Sequence, residues 1–108
     1  MSRQSVDEIA HKYNIDIRSL NIKIDKNRDG VYGITAPNGD ITLRRAAFRS
    51  EEQLARTLVH EKFHVQQIES GKGYPAEYDP GNSWEKEAQQ YEDDWWERYG
   101  KYRQDMPS

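Results

Sequence analysis

The strongest constraint in this chain is a single helix that must carry two imidazoles and a carboxylate within little more than one turn. Ser50-Glu-Glu-Gln53 is a capping-box pattern, and Leu54, Leu58, Val65 and Ile68 follow at helical spacing. Ser70-Gly71 reads as the C-terminal stop. Inside this helix stands His60-Glu61-Lys62-Phe63-His64, an H-E-x-x-H pattern. Four residues advance a helix by slightly more than a turn, so both imidazoles leave from one face and can grip one metal ion. Glu61 sits about 100° round from His60 and can lean over a water on that metal.

Imidazole and carboxylate donors suit zinc, which lowers the pKa of a bound water to ~7. Glu61 would take the proton as the hydroxide attacks a carbonyl, then pass it to the leaving amine. Multiplying residue frequencies makes the pattern a chance event in about one chain in a hundred of this composition. Two of the three His residues fall within it. Ordinary surface histidines at this spacing are the competing explanation.

Composition explains why a metal would matter. Leu, Ile, Val and Phe supply only 18 of 108 residues, and 32% of the chain is charged, which leans towards disorder. A net charge of only −3, seven Tyr and three Trp oppose that reading. One small domain is expected, with a thin core that calls for a staple. Without Cys the staple is not a disulfide, which leaves aromatic packing, oligomerisation or a metal. No apolar run approaches the ~20 residues of a membrane span, and the N-terminus lacks a signal-peptide pattern. The chain as given is therefore expected to be soluble and cytoplasmic, with export only by another route. No Lys/Arg stripe interleaved with aromatics supports nucleic-acid binding. The second half is acidic, with twelve acidic and five basic residues over 51–100.

The remaining elements follow from periodicity. Ser5-Val-Asp-Glu8 is a second capping-box pattern and predicts a helix over about 5–14. Leu20, Ile22 and Ile24 alternate, Val31 to Thr35 is a second β-like run, and Asn38-Gly39 predicts a hairpin into Ile41-Thr-Leu43. Three strands in meander order are the simplest arrangement. Residues 71–82 read as a loop. Asn82 or Ser83 then caps a third helix, whose Trp84, Ala88, Tyr91, Trp95 and Tyr102 form a stripe expected in the core.

A catalytic zinc site needs a third protein ligand. No His follows His64, and Gln67 and Ser70 occupy the positions where a metzincin has Gly and His. A carboxylate is expected, and Trp84-Glu85-Lys86-Glu87-Ala88-Gln89 offers two. Glu85 lies 21 residues beyond His64, enough to finish one helix, cross a loop and return antiparallel.

The arrangement resembles the gluzincin branch of zinc metallopeptidases, in which a Glu on a downstream helix is the third ligand. Many of these show Glu-x-x-Ala-Asp or Glu-x-Glu-Ala-Asp, the first Glu binding metal and the Asp supporting a ligand His. The resemblance implies Glu85 as ligand, with Glu87 less favoured, and Gln89 as the group behind a ligand His. Gln89 departs from the usual Asp: it accepts an N–H but brings no charge to the imidazole. From about residue 40 to 92 the likeness is closer. Ile41-Thr-Leu and Arg56-Thr-Leu-Val-His-Glu-Lys-Phe-His-Val-Gln-Gln67 resemble the metallopeptidase-like domain called DUF4157, found in bacterial toxin and contractile-injection proteins. That domain typically reads H-E-x-x-H-V-x-Q-Q, and here the Gln pair stands one position nearer. The chain's size is similar to that of the minigluzincins. The first 35 residues match no family in this way.

The resemblance further implies an oxyanion donor, for which Tyr74 and Tyr78 are the candidates, since some gluzincins place a Tyr in this loop. It also implies that the strand before the metal helix, Ile41, Thr42 and Leu43, is an edge that pairs with extended substrate. His11 reads as a helix-face residue. Residues 101–108 could fold back as a latency segment, with Asp105 meeting the metal. Together these expectations describe a zincin-like α+β domain of three strands and three helices. One Zn(2+) would be held by His60, His64 and Glu85, with Glu61 as general base and a peptide or protein as substrate. No nucleic-acid or membrane partner is expected. Two alternatives stand beside it: a non-catalytic zinc-stabilised interaction module, and a peptidase blocked by its own tail.

Overall fold

In the computed structural model, residues 1–27, 30–71 and 83–104 are described. Helix α1 spans Arg3–Lys12, strands β1, β2 and β3 span Ile22–Asp25, Gly33–Thr35 and Ile41–Arg44, and helices α2 and α3 span Glu51–Glu69 and Ser83–Trp95. A 3₁₀ turn, Arg45–Phe48, joins β3 to α2. A π-helical segment, Trp96–Gly100, and a last turn, Lys101–Arg103, extend α3. The radius of gyration, 13.2 Å, is that of a folded chain of this length rather than the ~30 Å of an unfolded one. The fold is a small α+β domain with a three-stranded mixed sheet.

The α2 boundaries follow the local signals. Ser50 Oγ accepts the Gln53 N–H at 3.0 Å, and Gly71 closes the far end with φ +78°. α1 starts earlier than its capping box suggests, because Ser2 rather than Ser5 is the cap and accepts the Ser5 N–H. It ends at Asn14, whose left-handed φ of 56° lets the Ile15 N–H return to Ala10 O.

The meander is not what forms. The strand order is β1-β3-β2, with β3 antiparallel to β2 and parallel to β1. The Asn38-Gly39 hairpin forms as expected, closed by Ala36 N–H to Asp40 O at 2.8 Å. β3 takes the centre because it has the most to bury: Ile41 and Leu43 are fully enclosed. Arg44 against Asp25, and Arg45 against Lys26 O, tie the C-terminal ends of β3 and β1 together. The core gathers Val6 and Ala10 from α1, Ile22, Ile41 and Leu43 from the sheet, and Leu54 and Leu58 from α2.

α3 runs antiparallel to α2, as shown by Gln67 with Trp84, His64 with Glu85, His60 with Glu92 and Arg56 with Asp93. The aromatic stripe of 84–102 is only partly core. Ala88 is enclosed, Trp84 and Trp95 are half-buried, and Tyr91 and Tyr102 are 44% and 63% exposed. Trp96 is buried instead, beside Tyr13 and Ala55. The π segment shifts the helical phase after Trp95, so the 3.6-residue stripe no longer points one way. Gly100 permits the crowding there, since a methyl group on it would lie 2.5 Å from Trp96 Cε3.

The described part of the tail does not reach a cleft. Arg103 donates to Lys12 O, and Lys12 Nζ donates to Gln104 O, which docks the last turn on the end of α1. Asp105 lies outside the described residues. No helix among the described residues is long and apolar enough to cross a membrane.

Candidate metal centre

Four residues of helix rise set His60 and His64 one above the other on the α2 face that meets α3. Their rings stand 4.8 Å apart, edge to face, and both are buried. From the first turn of α3, Glu85 places Oε2 3.1 Å from His60 Nε2 and Oε1 2.6 Å from His64 Nε2. One donor atom from each of the three residues falls within 4.8 Å of the others. Glu87 is exposed and takes no part.

The far side of each ring is also occupied. Glu92 Oε1 lies 2.9 Å from His60 Nδ1, and Gln67 Oε1 lies 2.6 Å from His64 Nδ1. The Gln67 orientation is fixed because its amide nitrogen donates to Trp84 O. Both Nδ1 atoms therefore donate their protons outward, which turns the Nε2 lone pairs towards Glu85. Lone pairs facing a carboxylate at these distances need a positive charge between them, either protons or a cation. Two imidazoles and one carboxylate are a ligand set for a divalent transition metal, so these residues fit one.

The ionisation of the metal-free site agrees. Burial alone would lower His60, but its hydrogen bonds to Glu85 and Glu92 outweigh it and raise the imidazole to about 10. Burial likewise works to raise Glu85, and its bonds to His60 and His64 bring it down to about 2. Glu61, 4% exposed, is pushed up by burial against the pull of the two imidazoles and a hydrogen bond from Thr35.

Sequence reasoning passed over several of these partners. Gln89 does not stand behind a ligand His; it is exposed and its side chain donates to Asp93. Glu92 holds that place because seven residues bring α3 back to within ~20° of the Glu85 direction, whereas four overshoot by ~40°. The Glu85…Glu92 spacing was the available signal. Thr35 donates through Oγ1 to Glu61 Oε1 at 2.9 Å. Gly33, two residues earlier, lets β2 pass close: a methyl group there would come within 3.1 Å of Glu61 Cγ and Thr57 Cγ2.

These residues open onto a cleft of about 430 Å³ between β2 and α3, lined among others by Tyr32, Gly33, Gln53, Thr57, His60 and Glu61. The strand beside it is β2. Ile41, Thr42 and Leu43 are not an edge, because β3 is paired on both sides. β2 is the edge. Tyr32 O accepts from Arg44 and the Ala36 N–H reaches Asp40 O, so by antiparallel alternation the Gly33 and Thr35 backbone groups turn to the outer side. Tyr74 and Tyr78 lie outside the described residues. His11 is exposed at the end of α1, apart from the cluster. Comparison with family profiles, curated proteins and solved structures finds no match to this chain.

Proposed function

We propose that the chain is a zinc-dependent peptidase of the gluzincin kind, with a zincin-like fold and kinship to the DUF4157 domain. The observation that carries this reading is the buried His60, His64 and Glu85 cluster with Glu61 beside it at the head of a cleft. Zinc held by these three residues would supply Lewis-acid activation of water and of a peptide carbonyl. Glu61 acts as the base: it follows His60 on the helix that carries both imidazoles and lines the cleft, where a carboxylate can take a proton and return it to a leaving amine. Thr35 holds one oxygen of that carboxylate. An extended peptide would lie along the β2 edge, using the outward backbone groups of Gly33 and Thr35.

A zinc-stapled interaction module is the second reading. It is favoured by one observation: the contacts between α2 and α3 near the site are largely charged or polar, so a metal there would hold the helices together whether or not it reacts. The separating experiment is metal analysis of the purified chain and its Glu85→Ala variant, together with cleavage of a peptide library by wild type and Glu61→Gln. The peptidase reading expects one zinc per wild-type chain, loss of zinc in Glu85→Ala, and cleavage reduced at least about a thousandfold in a zinc-loaded Glu61→Gln. Zinc without cleavage in the wild type would leave the module.

A further inference from the structure

Glu92 is 7% exposed and uses both oxygens, one on His60 Nδ1 and the other, at 2.7 Å, on Arg56 Nε. Arg56 stands one helical turn before His60 on α2, so two residues of one helix hold opposite oxygens of a carboxylate from the next. The guanidinium is itself over-determined. It bonds Glu52 Oε2 at 3.0 Å, contacts Asp93, and lies over the Trp96 ring at 6.0 Å. A carboxylate clamped by a fixed guanidinium can neither rotate away from His60 nor turn towards Asp93, its neighbour in sequence.

We propose that Arg56 is a positioning residue for the metal site and acts through Glu92. It fixes the carboxylate that receives the His60 Nδ1 proton, and so sets the orientation and donor strength of His60 Nε2. The planar fork matters as well as the charge. A guanidinium serves Glu92, Glu52 and Asp93 together, and an ammonium has no equivalent geometry. This inference rests on the metal-site reading above and adds a residue with no place in the H-E-x-x-H pattern.

The competing role is structural, because Arg56 also bridges α2 to α3. Zinc affinity, measured by competition with a chromogenic chelator, separates the two when combined with a double-mutant cycle. Arg56→Met is expected to weaken zinc binding about 10- to 100-fold and to shift the visible spectrum of the cobalt(II)-substituted protein. Arg56→Lys should fall between it and wild type. Asp93→Asn, which removes a bridge without touching Glu92, should stay within about threefold of wild type. In a Glu92→Gln background, Arg56→Met should cost less than about threefold more. Unchanged affinity in Arg56→Met overturns the proposal, as does an equal loss with and without Glu92. Should Arg56→Met not fold, wild-type affinity in Arg56→Lys overturns it. A wild-type chain that takes up no zinc overturns this inference and the metal-site reading together, whereas zinc binding with an additive cycle overturns this inference alone.

Discussion

The two sides of α2 bury residues by different physics. Towards α1 and the sheet, Leu54 and Leu58 pack with Val6, Ile41 and Leu43, contacts that need no partner of stated charge. Towards α3 and β2, the same helix buries His60, Glu61, His64 and Gln67. Each of those needs a specific group opposite it, because a buried polar atom left unmatched costs more than an apolar contact returns. The apolar side is held by area and the polar side by pairing. Stability on the second side is therefore conditional on what fills the space between His60, His64 and Glu85.

On the proposed reading of the site, stripping the metal should break the symmetry between the sides most strongly. At free zinc a thousandfold above Kd, binding contributes about 4 kcal/mol, which a chelator removes. Hydrogen exchange is expected to quicken in 83–104 and to stay slow in α1 and β3; equal quickening in all of them would contradict the division. The stripped protein is not left without support, since His60 and Glu85 then pair as imidazolium and carboxylate. The His60 contribution is fully present below the ordinary histidine value of 6.5 and is lost as pH rises through about 10. The Glu85 contribution is present above its ordinary 4.5 and is lost as pH falls through about 2. Stripped protein should consequently lose α3 first in alkali.

Leu58→Ala sharpens the other half of the comparison. Its side chain is enclosed among α1, the sheet and α2, and truncation there costs about 2–5 kcal/mol. That loss should be the same with and without zinc, as measured by urea unfolding of both forms. A zinc-dependent cost would mean that the two sides of α2 are one cooperative unit.

The same division decides what could be read from the sequence. α2, its Ser50 cap and its Ser70-Gly71 end were legible because capping and periodicity are local. His60 and His64 were legible for the same reason, their spacing being a property of one helix. Glu85 needed the resemblance, since periodicity alone left Glu87 in play. Thr35 was not legible, and Glu92 was legible only as a residue sharing the Glu85 face of α3, not as a partner of His60. One depends on the phase at which α3 crosses α2, and the other on a hairpin that lands beside Glu61. The strand order escaped because adjacency in sequence favours a meander, whereas burial of Ile41 and Leu43 put β3 in the middle. The phase shift after Trp95 escaped because it depends on the packing of Trp96 against Gly100.

The smallest expected effect tests whether the α1 side carries any conditional pairing of its own. Glu51, in the first turn of α2, accepts from Lys12 Nζ and from Tyr13 Oη, each at 2.7 Å. Burial opposes ionisation there, yet these bonds hold the carboxyl below its ordinary range. A depressed carboxyl contributes stability above its ordinary value of 4.5, and the contribution disappears as pH falls through the lower folded value. The group is partly solvated, so Glu51→Gln should cost no more than about 1 kcal/mol at pH 7. Compared by denaturant unfolding of metal-free protein, the gap between wild type and variant should narrow steadily below pH 5 as the wild-type carboxyl protonates. A gap that stays constant down to pH 3 would show that Glu51 acts through shape and hydrogen bonding alone. The α1 side of the helix would then be independent of charge altogether, and the contrast with the α3 side would be sharper still.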